Sequence, residues 1–186
     1  LLIGANDLCS NDLTDSTPTG TYVDDLSYVV DTLLQRNPNT RILVSSLPPV
    51  HKVRESLLKQ RLTGGPVART CGELWKMTKM CHRLTLEDNP ERNEELAMHV
   101  RDYFEATAQM VEDRRGTYGD RVRFAMQPAQ TDLNRKDMSM DCFHPGPRGQ
   151  HHLADLTWST GWWSGPASAS MDFEPEEAVP TEQESY

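Results

Sequence analysis

The stretch RILVSSLPPV (Arg41–Val50) decides how this 186-residue chain is expected to fold. Ile42, Leu43 and Val44 are consecutive apolar residues, and a double proline follows them. A short, continuously apolar run is typical of a strand covered on both faces, and proline closes such a run because it cannot donate to a strand ladder. The sequence therefore predicts a buried strand in this stretch.

A helix is predicted directly before this strand. Within Thr21–Gln35 the apolar residues recur at spacings of three and four, which places them on one helical face, and Asn37-Pro38-Asn39 ends the pattern. Because Leu1–Ile3 is also apolar, we interpret it as a first buried strand. Strand, helix and strand in about 45 residues form a βαβ unit, which predicts a parallel sheet with a right-handed crossover.

Weaker patterns organise the rest of the chain. In order, they predict an irregular insertion over residues 53–86 with a short helical piece around Leu57–Leu62, a long helix from Pro90 capped by Asn89 and ending before Gly116 and Gly119, a strand over Arg121–Met126, and a final helix over Gly149–Trp158. The fold class predicted from these elements is α/β.

Charge divides the chain into two regions. The net charge is −9, yet residues 171–186 hold six acidic residues and no Lys or Arg, which leaves −3 for the remainder. We therefore predict one domain over residues 1–160 and an acidic, Pro/Ser/Glu-rich disordered tail over residues 161–186. The nearly balanced body argues against a nucleic-acid partner, and no apolar run approaches the roughly 18 residues of a membrane helix.

Four cysteines are present, at positions 9, 71, 81 and 142. Cys71 and Cys81 lie ten residues apart, which favours a local disulfide and an oxidising, secreted or extracytoplasmic location. A bridge between Cys9 and Cys142, or four reduced thiols, are the alternatives. Zinc is disfavoured because no C-x2-C spacing occurs, and no cofactor is predicted.

Two polar clusters fall at predicted strand ends or in the loops after them, where open parallel sheets bind ligands. In Asp141-Cys-Phe-His144 a carboxylate three residues before an imidazole can fix its tautomer and stabilise its protonated form. In Gly4-Ala-Asn6-Asp7, Asn6 can donate to the oxyanion of a tetrahedral intermediate. The alternative is that both clusters only cap turns, with Asp7 as a loop acid and His151-His152 as surface residues.

Two motifs resemble those of the GDSL or SGNH lipases and esterases, particularly the phospholipase B-like branch. They are IGANDLC (Ile3–Cys9) and DCFHPGPRGQHHLADLTW (Asp141–Trp158). The resemblance implies a flavodoxin-like three-layer α/β/α sandwich that hydrolyses carboxylic esters, with a phospholipid or other ester as substrate and peripheral contact with a lipid surface. By position it assigns His144 as general base, Asp141 as the carboxylate that orients it, and Asn6 to the oxyanion hole.

The chain departs from the family at the nucleophile. The family's serine lies in a G-D-S block upstream of the G-x-N-D block, and this sequence has no G-D-S; Ser10, Ser45, Ser46 and Ser139 lack the glycine-flanked turn of a nucleophile elbow. We therefore expect a C-terminal fragment, incomplete at the N-terminus and inactive alone. The alternative is a non-catalytic relative that binds lipids or esters, although the family's strand order would leave its first strand as an exposed apolar edge.

Overall fold

A computed structural model describes residues 1–9, 16–62 and 70–163. Within these residues the helices are α1 (Thr19–Arg36), α2 (Val53–Leu57), α3 (Cys71–Thr78), α4 (His82–Thr85), α5 (Pro90–Tyr118) and α6 (Pro147–Trp158), and the strands are β1 (Ile42–Ser45) and β2 (Val122–Ala125). Helices and a small parallel sheet agree with the predicted α/β class. The complete three-layer sandwich stays a prediction.

The two strands pair in parallel, from Ile42 opposite Val122 to Ser45 opposite Ala125. The strand predicted in Arg41–Val50 is confirmed but shorter than its motif, because the prolines after Ser45 and Ser46 turn the chain away from the ladder. Since both strands run in the same direction, their carboxyl ends open at one edge of the sheet. The predicted final helix is also confirmed, two residues longer at its start.

Leu1–Ile3 lies beside β1 on the side away from β2. The Leu1 amino group donates to the Leu43 carbonyl at 2.6 Å, and the Ser45 N–H donates to the Leu1 carbonyl at 2.7 Å, which is the pattern of parallel pairing. The prediction that these residues are buried is wrong. Their side chains are 45 to 58 % exposed, because no described residues cover this edge of the sheet.

Helices occupy both faces of the sheet. α1 and α5 share one apolar core with Ile42 and Val44, whereas on the opposite face the Ser45 hydroxyl lies 3.4 Å from the hydroxyl of Thr157 in α6. Arg114 of α5 makes a two-pronged ion pair with Asp31 of α1, at 2.9 and 3.3 Å. These contacts pack helices α1, α5 and α6 around the sheet.

The structure corrects one predicted segment and fixes the end of another. The insertion is not irregular, because Thr70 and Glu73 form a reciprocal capping box that starts α3, and two further short helices flank it. Helix α5 continues past Gly116 to Tyr118 and ends before Gly119, the second of the two glycines at which its end is predicted. Gly116 faces open space and is tolerated, whereas Gly119 has a φ of +62° and ends the helix.

The start of the predicted tail is packed against the domain. The indole N–H of Trp162 donates to the Asp120 carbonyl at 2.6 Å, and Gly161 is buried. The rest of the predicted tail, residues 164–186, lies outside the described residues. Among the helices that are described, none has the length and apolarity needed to cross a membrane.

Candidate active site

Asp141 and His144 form a compact, directly bonded pair in the loop before α6. His144 Nδ1 lies 2.7 Å from Asp141 Oδ2. The other carboxylate oxygen, Oδ1, accepts the backbone N–H groups of Phe143 and His144 at 2.9 and 3.0 Å, together with the hydroxyl of Ser139. The turn therefore folds around the carboxylate, as the D-x-x-H spacing predicts.

These bonds keep Asp141 ionised. Partial burial alone raises its pKa, but the hydrogen bonds from Ser139, His144 and the backbone outweigh that effect and lower the pKa to about 2. An ionised carboxylate can only accept, so the proton of a neutral His144 ring resides on Nδ1. Nε2 is then the free basic atom, which is the tautomer that a general base requires.

The loop that carries the pair is closed by backbone bonds at its base. Ser139 N–H donates to the His144 carbonyl at 2.8 Å, and Gly146 N–H donates to the Asp137 carbonyl at the same distance. The guanidinium of Arg135 donates to the carbonyls of Met138 and Ser139, each at 3.1 Å. The pair is thus presented by a closed loop that leads directly into α6.

The second polar cluster forms a tight turn after Leu1–Ile3. Gly4 has a φ of +115°, and a β-carbon there would stand 2.9 Å from the ring of Tyr22, so the position requires glycine. Asp7 accepts the hydroxyl of Thr17 at 2.9 Å, which braces the turn and supports the reading of Asp7 as a loop acid. Asn6 remains exposed at the tip.

One cavity of about 190 Å³ brings Asn6 and His144 together, since both residues line it. The His144 side chain is 61 % exposed and therefore accessible from solvent. Most of the other walls are apolar, among them Ile3, Leu47, Val50, Val53, Phe143 and Leu153. A larger cavity of about 350 Å³ also includes Leu47 in its wall but contains neither Asn6 nor His144.

None of the three described candidate serines, Ser45, Ser46 and Ser139, donates to His144. The Ser45 hydroxyl donates to the Ser46 carbonyl, the Ser46 hydroxyl donates to the Met126 carbonyl, and the Ser139 hydroxyl donates to Asp141. Ser10 lies outside the described residues. The described site therefore holds an imidazole bonded to a carboxylate, with Asn6 on the same cavity, and Ser139 donates to that carboxylate.

The predicted disulfide between Cys71 and Cys81 is wrong, as is its alternative between Cys9 and Cys142. The structure joins Cys9 to Cys81 and Cys71 to Cys142. Helix α3 begins at Cys71 and extends over eight residues, about 12 Å, so Cys81 lies beyond bonding reach at its far end. Each bridge instead ties one polar loop to the insertion.

Sequence reasoning missed one residue that contacts the pair. Trp75 is fully buried and donates its indole N–H to the Asp141 carbonyl. His151 and His152 are both exposed, as predicted for surface residues, although His152 also lines the cavity. In the described part of the chain, no three His, Cys, Asp or Glu side chains group as metal ligands would.

A His–Asp pair and an Asn at the carboxyl edge of a parallel sheet define a hydrolase-like α/β site. The chain belongs to the GDSL-like lipase/acylhydrolase family, whose family model matches residues 1–157. A comparison with curated proteins found no match. Membership in this family implies ester hydrolase activity.

Proposed function

We propose that this chain supplies the base and the oxyanion donor of a lipase or phospholipase B-like ester hydrolase, and that its serine nucleophile lies outside these 186 residues. The observation that carries the proposal is the shared cavity of His144 and Asn6, with the Nδ1 of His144 held by Asp141. The sequence contains no G-D-S block, which supports the proposal that the serine nucleophile lies outside these residues.

In the proposed reaction, His144 Nε2 removes the proton from the serine hydroxyl as the serine oxygen bonds to the ester carbonyl carbon. The carbonyl oxygen becomes an oxyanion, to which the Asn6 side chain donates. The intermediate collapses, His144 returns the proton to the leaving alcohol, and an acyl-enzyme remains. Water activated by His144 then releases the carboxylic acid and restores the serine.

The proposed substrate class is the acyl ester of a phospholipid. Apolar walls around the cavity suit an acyl chain. Two disulfides favour folding in an oxidising compartment, so we propose that the protein is secreted.

The test is to read the genomic DNA upstream of the Leu1 codon and to express any longer in-frame product that contains G-D-S. That product is expected to hydrolyse a short-chain nitrophenyl ester, whereas the 186-residue chain alone is expected to be inactive. His144→Ala should lower kcat by a factor of about 10³ to 10⁴. His151→Ala is the matched control, since this exposed histidine lies on the neighbouring helix and faces Asp155.

Two outcomes would contradict the proposal. Hydrolysis by the 186-residue chain that His144→Ala abolishes would place the nucleophile within it. A start codon at this border with no upstream G-D-S run would favour the non-catalytic relative.

A further inference from the structure

Helix α3 of the insertion contacts the Asp141–His144 turn at two adjacent points. The Trp75 indole Nε1–H donates to the Asp141 carbonyl oxygen at 3.1 Å, and Cys71 is joined to Cys142, the next residue of the turn. Cys71 and Trp75 are four residues apart, so they lie on the same face of α3, and both are fully buried. One helix therefore holds two consecutive residues of the turn.

The turn has a conformation that needs outside support. Cys142 has a φ of +62°, in the left-handed region that residues with a β-carbon seldom adopt. The backbone carbonyl of Asp141 is bonded to Trp75 while its carboxylate is bonded to His144. Because Trp75 holds the Asp141 carbonyl, it also restricts the position of the Asp141 backbone. That position determines whether the Asp141 carboxylate can bond to the His144 ring.

Helix α3 is itself firmly placed. Its first turn is closed by Thr70 and Glu73, each of which bonds the backbone of the other. Gly72 packs so closely on the preceding segment that a β-carbon there would stand 3.0 Å from the Leu58 carbonyl oxygen and 2.6 Å from the Leu58 side chain. Because α3 is closely packed and closed at its first turn, its contacts can hold the Asp141–His144 turn in a fixed position.

We infer that Trp75 is a positioning residue for the His144–Asp141 pair and acts through its indole N–H bond to the Asp141 backbone. The inference rests on the proposed function, because only a catalytic pair makes this positioning relevant to a reaction. The bond itself is a property of the 186-residue chain and can be observed without a nucleophile.

The test is nuclear magnetic resonance of the oxidised, ¹⁵N-labelled chain. Long-range ¹H–¹⁵N correlations of the neutral His144 ring report which nitrogen carries the proton. In the unaltered chain the proton is expected on Nδ1. Trp75→Phe keeps an aromatic ring and the disulfide but removes the donor, and is expected to cause a loss of the Nδ1–H tautomer in favour of Nε2–H.

Trp158→Phe is the matched control, since Trp158 is an exposed residue at the far end of α6, and it should leave the His144 spectrum unchanged. If Trp75→Phe folds and His144 keeps its tautomer, Trp75 has only a packing role and the inference is wrong. These readouts do not depend on esterase activity, so failure of the inference and failure of the proposed function are separable.

A second measurement needs no substitution and applies even if Trp75→Phe does not fold. The indole N–H signal of Trp75 is expected to shift as the His144 ring is protonated, because the two groups are linked through Asp141. The Trp162 indole, bonded to Asp120, should not follow that titration. A Trp75 signal that ignores the protonation of His144 would also overturn the inference.

Discussion

Gly149 lies against Asp137 so closely that a β-carbon at position 149 would stand 2.0 Å from the Asp137 carbonyl oxygen. The same oxygen accepts the Gly146 N–H at 2.8 Å, and the Asp137 side chain pairs with Arg148 at 2.9 Å. The first turn of α6 therefore rests directly on the segment that leads into the His–Asp loop. This contact gives a physical reason for glycine at position 149.

Gly149→Ala should destabilise the protein, because the added methyl group collides with backbone that is itself hydrogen-bonded. Overpacking of this kind costs about 1 to 3 kcal/mol in the free energy of unfolding. Urea unfolding followed by circular dichroism would measure the loss. Gly116→Ala is the matched control: that glycine is also helical but faces open space, so the change should be neutral or stabilising by about 0.5 to 1 kcal/mol. Equal effects at both positions would contradict the close contact.

The depressed pKa of Asp141 makes stability depend on pH. Because the pKa is about 2 in the folded chain and about 3.9 for an unperturbed aspartate, the carboxylate stabilises the fold fully above about pH 4. That contribution is lost as the pH falls towards 2. Asp141→Asn removes this carboxylate, so its free energy of unfolding should fall less between pH 4 and pH 2 than that of the unaltered chain. Urea titrations from pH 6 to pH 2 would measure the difference. An unchanged pH dependence in Asp141→Asn would contradict the prediction.

The local pattern of the sequence predicted α1, α5, α6 and the two paired strands, since apolar periodicity and proline act over a few residues, but it did not predict the ordered helices of the insertion. Asp141 and His144 were predictable for the same reason, because three residues of chain hold them together. The disulfide partners were not, since spacing along the chain cannot show that α3 separates Cys71 from Cys81. The role of Trp75 depends on a contact with Asp141, which is distant in sequence, and no motif shows that contact. The role of Gly149 depends on how closely the first turn of α6 packs on Asp137, which no motif shows either.

Asn6→Ala tests the oxyanion donor in the G-D-S-containing product. If Asn6 donates only when charge develops on the carbonyl oxygen, kcat should fall by about 10² to 10³ with little change in KM. Asn37→Ala is the control, because Asn37 ends α1 at the opposite end of the sheet from the cavity. An unchanged kcat for Asn6→Ala would contradict the role of Asn6 as an oxyanion donor and would assign its side chain to the turn alone.

The two disulfides should each contribute substantially to stability. They join cysteines that are 72 and 71 positions apart in the sequence, and the loss of chain entropy in the unfolded state corresponds to about 4 kcal/mol for loops of this size. Replacing Cys9 and Cys81 by alanine should lower the urea midpoint and loosen the Asn6 turn. Replacing Cys71 and Cys142 should lower the midpoint and loosen the His144 turn instead, which hydrogen exchange would resolve.

The pairing itself can be read by mass spectrometry of a tryptic digest made without reduction. The sequence places Cys9 in peptide 1–36, Cys71 in 70–76, Cys81 in 80–83 and Cys142 in 137–148. The structure predicts that peptide 1–36 is joined to 80–83 and that 70–76 is joined to 137–148, with all four separating on reduction. A linked species of 70–76 with 80–83 would contradict this pairing, because the two cysteines flank α3 and cannot meet while that helix is formed.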